Sequence, residues 1–140
     1  MPDPELERRL LARARAIPIS ATLGMELVGF DEGTCAARVP YRKEYDGVFE
    51  SFHGGILMTI ADSVACFAVL TLTGAEQALT TTDMNIRFLR PCLSDVTATA
   101  RVIKRGRTMC PVSVELNDAH GELVAIAQVN YMLLPDLPRR

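Results

Sequence analysis

A single apolar run over residues 56–72 is the feature that most limits the possible folds of this sequence. If the run is a helix, apolar side chains surround it, so the helix must be buried on nearly every side. The run is shorter than the roughly 20 residues that a membrane span needs, and it holds Asp62 near its middle. We therefore predict a buried core helix that begins at Gly54 and ends at Gly74, with no membrane partner.

The segments on either side of this helix alternate between apolar and polar residues, which is typical of half-buried β-strands. Tight turns near Gly33, Gly106 and Gly121 separate several of them. Only an antiparallel sheet of about five or six strands is large enough to bury the helix. The sequence thus predicts an α+β fold in which this sheet wraps around one central helix. The expected strands cover residues 25–30, 34–42, 83–88, 96–103, 112–117 and 123–134.

The rest of the chain adds one short element to a single domain. Residues 4–16 place Leu6, Leu10 and Leu11 on one stripe with arginines opposite, which predicts a short amphipathic helix stopped by Pro18. A chain of 140 residues fits one domain. We expect an N-terminal helix or arm over residues 1–20 and one domain over residues 21–140.

Charge and cysteine content exclude several classes of function. A formal net charge of −2 offers no basic surface for nucleic acid and no polybasic patch for a membrane. The four cysteines lack metal-ligand spacing, and the first residues lack the basic and apolar regions of a signal peptide. We therefore expect reduced thiols, a cytoplasmic protein, and no metal, nucleic-acid or membrane partner.

The residues that can carry chemistry lie at the start and in the middle of the apolar helix. Gly54 and Gly55 follow His53 and let another molecule approach the backbone closely. The first N–H groups of a helix lack partners there, so they can polarise a carbonyl oxygen. Asp62 is a carboxylate in apolar surroundings, which is costly unless the group is partnered, hydrated or functional. This segment is therefore the candidate site.

The spacing of these residues requires two copies of the chain. Gly54 and Asp62 are eight residues apart, or about 12 Å along a helix at ~1.5 Å per residue, so one helix cannot present both to one carbonyl group. Two antiparallel copies across a two-fold axis would bring Gly54 of one near Asp62 of the other. An open sheet edge and a small, neutral outer face favour the same association. We expect a homodimer, and a homotetramer built as a dimer of dimers.

The pattern H-G-G-x6-D at residues 53–62, with T-D-M-N-I at residues 82–86, resembles the hotdog-fold acyl-CoA thioesterases of the phenylacetyl-CoA thioesterase-like (PaaI) branch. The resemblance runs from about residue 24 to residue 134 and includes K-R-G-R-T at 104–108. It implies the hotdog fold and hydrolysis of an acyl-CoA thioester with no metal and no cofactor. It also implies that Asp62 is the general base or nucleophile. The Gly54 N–H would bind the thioester oxygen, and Thr81 would orient the water.

The remaining candidates concern substrate contacts. His53 either holds the helix start or touches the substrate directly, and Gly55 shares the close backbone approach. Relatives often carry an asparagine six residues before the histidine, where this sequence has Gly47 preceded by Asp46, so the substrate contact is altered there. Candidate contacts for the coenzyme A end are Asn85, Arg87, Arg90, Lys104, Arg105 and Arg107.

Two other functions stay open at this level. The unusual loop around Gly47 is compatible with a non-catalytic module that binds acyl-CoA in the same groove. His53 and Asp62 could imitate the histidine–acid pair of a hotdog dehydratase acting on a hydroxyacyl thioester. A thiol-release assay separates hydrolysis from binding, and an assay for enoyl product identifies dehydration.

Overall fold

A six-stranded antiparallel sheet wraps around one long helix, as the sequence predicts. The computed structural model describes residues 3–136. Its elements in chain order are α1 (Pro4–Arg15), α2 (Pro18–Leu23), β1 (Glu26–Asp31), β2 (Thr34–Val39), α3 (Gly54–Thr73), β3 (Ala78–Phe88), β4 (Val96–Val102), β5 (Met109–Asp118) and β6 (Leu123–Leu134). The strands lie in the order β1-β2-β4-β5-β6-β3, so β1 and β3 are the two edges.

Helix α3 is buried because small side chains line the inner face of the sheet. Ala37, Ala98 and Ala100 are fully buried and let the helix backbone come close to β2 and β4. Ile60 and Val64 of α3 are also fully buried and fill the layer between them. α3 has the predicted bounds, and at 20 residues it could cross a membrane by length and composition alone. Ten of its residues are buried in the protein, which identifies α3 as the core helix.

The N-terminal segment forms two helices, which corrects the prediction of one helix stopped by Pro18. α1 ends at Arg15, and Pro18 opens α2, because its fixed φ and missing N–H suit the first position of a helix. Gly24 ends α2 with a left-handed φ of 68°, a conformation that favours glycine. Leu10 of α1 is fully buried, so α3 lies between the sheet and α1. The expected boundary after residue 20 falls inside α2.

Strand β3 leaves a long edge of the sheet open. It pairs with β6 on one side, and its other edge pairs with no strand within residues 3–136. A bulge between Thr81 and Asp83 inserts Thr82 into the strand. As a result, both Thr81 and Met84 face α3, although they are three residues apart. The sheet therefore ends in an 11-residue strand with a free edge beside the core helix.

Candidate active site

The loop before α3 is held in place and sets the start of the helix. Asp46 and Phe52 form an isolated antiparallel bridge that closes the loop. The His53 N–H donates a hydrogen bond of 2.7 Å to the Tyr45 carbonyl. The Nδ1 atom of His53 accepts the Gly55 N–H at 2.9 Å, so the imidazole caps α3. His53 therefore holds the start of the helix, which is one of its two predicted roles. Its direct contact with substrate stays a prediction.

Gly54 offers an unused N–H at this helix start. Its N–H donates to no atom of residues 3–136, whereas the Ile56 and Leu57 N–H groups both donate to the His53 carbonyl. The partial positive charge of a helix N-terminus is concentrated on such unpaired N–H groups. A Cβ atom at Gly54 would lie 2.9 Å from Cζ of Phe88, so only glycine leaves room for that ring.

A cleft of about 380 Å³ opens beside Gly54. Its walls are mainly apolar, and Phe88 and Leu89 are each 52% exposed at its surface. A volume of this size lies in the range of natural ligand pockets. The free N–H of Gly54 therefore borders a space that can hold part of a substrate.

Asp62 is anchored through one of its two carboxylate oxygens. The Thr81 hydroxyl donates to Oδ1 of Asp62 at 2.6 Å. The Tyr131 hydroxyl lies 2.7 Å from the same Oδ1 and 2.7 Å from the backbone carbonyl oxygen of Asp62. Oδ2 accepts no hydrogen bond from the part of the chain that the structure describes, and Asp62 is half-buried. The carboxylate thus presents one oxygen that is available for chemistry.

Tyr131 is the contact that sequence analysis missed. In the alternating pattern of β6 it resembles any other inward-facing apolar residue. The pairing of Thr81 with Tyr131 across β3 and β6 is what brings its hydroxyl to Asp62. A signal was available, because a tyrosine on the buried face of a strand needs a hydrogen-bond partner for its hydroxyl. The inner face of β6 packs against α3, and Asp62 is an acceptor on that helix.

The groups next to Asp62 stay protonated at neutral pH. Cys66 follows Asp62 by one helical turn, and burial raises its pKa to about 11, with Arg13 acting in the opposite direction. Burial likewise raises the pKa of the Tyr131 phenol well above its ordinary value. Tyr131 is therefore a hydrogen-bond donor at working pH, and Cys66 is a thiol rather than a thiolate.

Asp46 and Gly47 lie at the base of the loop before α3. Oδ2 of Asp46 accepts the Tyr41 hydroxyl at 2.7 Å, while its Oδ1 is buried without a hydrogen-bond partner among the described residues. A Cβ atom at Gly47 would lie 3.4 Å from Cδ2 of His53, which is an ordinary contact. Glycine therefore leaves one side of the His53 ring open where a larger residue would cover it.

The predicted coenzyme A contacts do not form one cluster within a chain. Asn85 and Arg87 face the outer surface of the sheet beside Gln128, because their neighbours in β3 face α3. Arg90 is 3.1 Å from Glu122 in an exposed ion pair. Within one chain these residues do not line a common cleft, and their contact with coenzyme A stays a prediction.

The other predicted cations lie at the opposite end of the sheet. The loop between β4 and β5 carries Lys104, Arg105 and Arg107, all exposed. This loop adjoins the end of β6, because the Leu133 N–H donates to the Thr108 carbonyl. The segment after β3 instead adjoins the start of β6, where the Leu89 N–H donates to the Val124 carbonyl. Val124 and Leu133 are nine positions apart in β6, so about 30 Å separates these two contacts at ~3.3 Å per residue.

Gly106 shapes the loop that carries these cations, and replacing it is expected to destabilise the fold. A Cβ atom at Gly106 would overlap the carbonyl oxygen of Met109, so Gly106→Ala forces the backbone to move. We expect its free energy of unfolding in urea to fall by about 1–3 kcal/mol. Gly29→Ala is the matched control, since a Cβ there meets no atom within 4 Å, and should change it by less than about 0.5 kcal/mol. Equal effects at both positions would contradict this account.

Gly54 and Asp62 define two separate halves of a site. The N–H half consists of Gly54 and the Phe88 ring beside it, and the carboxylate half consists of Asp62 and Thr81. Gly54 and Asp62 both lie on α3, about 12 Å apart along its axis at ~1.5 Å per residue. β3 runs past both of them, from Thr81 at one half to Phe88 at the other. Within one chain the two halves cannot act on the same carbonyl group.

The family of this chain follows from comparison with known proteins. The model of the family described as "Thioesterase superfamily" matches residues 49–125, which contain α3, β3 and both halves of the site. The chain belongs to the thioesterase superfamily. The predicted hotdog fold and the predicted thioesterase class of enzyme are thereby confirmed, with thioester hydrolysis as the class of reaction.

Individual relatives agree with this assignment. Human acyl-coenzyme A thioesterase 13 is 31% identical over 125 residues, which cover 86% of this chain and 88% of the relative. A thioesterase of Pseudomonas aeruginosa, crystallised as a mutant, superposes with a TM-score of 0.83 at 28% identity, covering 95% of this chain and 96% of that one. The PaaI protein of E. coli, from the phenylacetic acid degradation operon, shares the fold with a TM-score of 0.82 at 23% identity, covering 92% and 96% of the two chains.

Proposed function

We propose that this protein hydrolyses an acyl-CoA thioester to the free acid and coenzyme A, at sites shared between the two subunits of a homodimer. One observation carries the proposal: the open N–H of Gly54 and the open Oδ2 of Asp62 lie on one helix, too far apart to meet. A second copy of the chain would bring its Asp62 to Gly54 of the first copy and its Gly54 to Asp62 of the first copy. The name of the human relative and the sequence resemblance support acyl-CoA as the substrate.

The free edge of β3 supports a specific form of this dimer. Suppose that two β3 strands pair antiparallel across a two-fold axis beside Asn85. The bulge after Thr81 then lies opposite Phe88 of the partner subunit. Because Thr81 contacts Asp62 and Phe88 contacts Gly54, this pairing brings Asp62 of one subunit toward Gly54 of the partner subunit. Because the bulge turns Thr81 toward α3, the side chains of Thr81 and of Phe88 of the partner subunit would lie on the same face of the joined sheet.

The same pairing also accounts for the scattered cations. The loop over residues 104–107 adjoins the start of β3, whereas the cleft beside Gly54 adjoins its end. In an antiparallel pair, the start of one strand lies near the end of the other. The partner's loop would therefore lie toward the cleft, where its positive charges can bind the phosphates of coenzyme A.

The proposed chemistry uses this chain's own groups and no metal or cofactor. The Gly54 N–H binds the thioester oxygen and stabilises the negative charge that develops on it. Oδ2 of Asp62 either takes a proton from water, whose oxygen attacks the carbonyl carbon, or attacks that carbon itself. In the second case a mixed anhydride forms and water then hydrolyses it. In both cases the C–S bond breaks, and the coenzyme A thiolate leaves and takes up a proton.

A thiol-release screen tests the proposed reaction. The wild-type protein is assayed with short, long and aromatic acyl-CoAs, and free acid is measured beside free thiol. We expect both products in equal amounts from at least one substrate. Binding of acyl-CoA without thiol release would instead favour a binding module, for which the glycine at position 47 is the motivating feature. The capping role of His53 weakens the dehydratase alternative, because its Nδ1 is already engaged.

Mixing two inactive variants tests the shared site. Asp62→Asn damages the carboxylate half and Gly54→Pro removes the N–H, so a hybrid dimer holds one intact site and one doubly damaged site. An equal mixture of refolded chains is expected to recover about a quarter of wild-type activity, because half of the dimers are hybrids with one working site each. Mass spectrometry confirms that hybrids form. Hybrids without recovered activity would contradict a site built from two subunits.

A further inference from the structure

The hydroxyl of Tyr131 is a buried donor aimed at the carboxylate of Asp62. Tyr131 is 5% exposed, and its hydroxyl has two acceptors at 2.7 Å, Oδ1 and the backbone carbonyl oxygen of Asp62. Thr81 donates to the same Oδ1 from a different strand. Two donors from β6 and β3 thus converge on one oxygen of a side chain that extends from α3.

We propose that Tyr131 is a positioning residue for thioester hydrolysis. Together with Thr81 it holds Oδ1 of Asp62, so that Oδ2 is the oxygen that meets the water or the thioester carbon. The inference rests on the proposed function and adds a residue that acts on the reaction only through Asp62.

The reason is geometric. A carboxylate held by one hydrogen bond can still rotate about its Cα–Cβ and Cβ–Cγ bonds. Donors on two strands remove that freedom, because β3 and β6 are held to each other, and β6 also to β5, by the hydrogen bonds of the sheet. Hydrogen bonds to an ionised acceptor are the stronger kind and keep the carboxylate in place. A misplaced catalytic group costs rate even when binding is unchanged.

The hydroxyl of Tyr131 keeps an acceptor while Asp62 reacts. In the proposed reaction the proton or the new bond goes to Oδ2, so Oδ1 stays an acceptor for the phenol. The Asp62 carbonyl lies at the same 2.7 Å from this hydroxyl. The buried hydroxyl therefore has a partner at each step of the proposed reaction.

The surrounding groups do not compete for this role. Cys66 on α3 is also within hydrogen-bond reach of the Tyr131 hydroxyl, but burial raises the pKa of this thiol to about 11, so it stays a neutral and weak partner. Arg13 of α1 is close enough to act on Cys66, but its side chain donates to the Ala75 carbonyl. Burial also raises the pKa of Tyr131, so the phenol keeps its proton.

Tyr131→Phe tests the inference, because phenylalanine keeps the ring and removes only the hydroxyl. We expect kcat for thioester hydrolysis to fall about 10- to 100-fold and KM to stay within about twofold. Tyr45→Phe is the matched control. Its ring is equally buried, at 5% exposure, and its hydroxyl donates to the Leu23 carbonyl at 2.8 Å, away from Asp62. The control should keep kcat within about twofold.

Both variants are assayed at a temperature at which circular dichroism shows them to be folded. A third variant, Tyr131→Phe with Thr81→Val, should lose less activity than the product of the two single losses, because both donors act on one oxygen.

The inference is overturned if Tyr131→Phe keeps kcat within twofold of wild type, or if Tyr45→Phe loses as much. Either outcome would overturn the role of Tyr131 alone, provided that the wild type hydrolyses thioesters and Asp62→Asn does not. Absence of thiol release by the wild type would overturn both.

Discussion

Asp62→Asn is expected to lower kcat for thioester hydrolysis by about 10²- to 10⁴-fold, the usual contribution of a positioned acid–base group. The asparagine side chain has the same size, and its carbonyl oxygen can still accept the Thr81 hydroxyl. Its amide nitrogen in place of Oδ2 can neither take a proton from water nor attack a thioester. Steady-state thiol release on the best substrate of the acyl-CoA panel measures the loss.

A matched control separates this effect from a general change of charge. Glu115→Gln also converts a carboxylate to an amide, but Glu115 is exposed on β5 and faces away from α3. We expect its kcat to stay within about twofold of wild type. Gel filtration should show the same oligomeric state for both variants. An Asp62→Asn variant with wild-type kcat would exclude Asp62 as base and as nucleophile.

Gly54→Pro is expected to lower kcat by about 10²- to 10³-fold, the typical loss when one oxyanion donor is removed. Proline lacks the N–H that Gly54 leaves unused, yet it suits this place in the helix. Gly54 is the first residue of α3, where proline is favoured, and His53 before it has a ψ of 130°, which a residue preceding proline adopts readily. The helix should therefore form without its donor.

Gly54→Ala is the control that isolates the N–H from steric effects. Both variants add a Cβ atom that would lie 2.9 Å from Cζ of Phe88, so they share this steric change. Alanine keeps the N–H, so we expect less than about a tenfold loss of kcat. Equal losses in the alanine and proline variants would mean that the displaced ring, rather than the missing donor, lowers the rate.

The parts of the fold that follow from local pattern were predictable. The apolar run between Gly54 and Gly74 matches α3 (Gly54–Thr73), and the last alternating segment matches β6 (Leu123–Leu134). The predicted strand over residues 34–42 ends earlier, at Val39, because Pro40 follows it. α2 was missed because a proline can stop one helix or start the next, and only the surrounding packing decides which.

The site was predictable where its residues share one element. Gly54 and Asp62 lie on α3, so their spacing along one helix was enough to show that they cannot meet. The contact of Asp62 with Tyr131 depends on the register between β3 and β6, which pairs residues 50 positions apart in sequence. The separation of Arg90 from the loop over residues 104–107 depends on the same strand order. Such long-range pairings leave no local pattern in a single sequence.

The bulge in β3 lies within a run of three threonines at positions 80–82. Bulges add one residue to a strand, so a shift of the extra residue from 82 to 81 would turn the hydroxyl of Thr82 inward in place of that of Thr81. Thr82 presently bonds outward, to Asp83 and to the Asn130 carbonyl. The chain thus carries a second hydroxyl at the position next to Thr81, and only the place of the bulge decides which of the two faces Asp62. Tyr131 has no such neighbour, because Asn130 and Met132 flank it in β6.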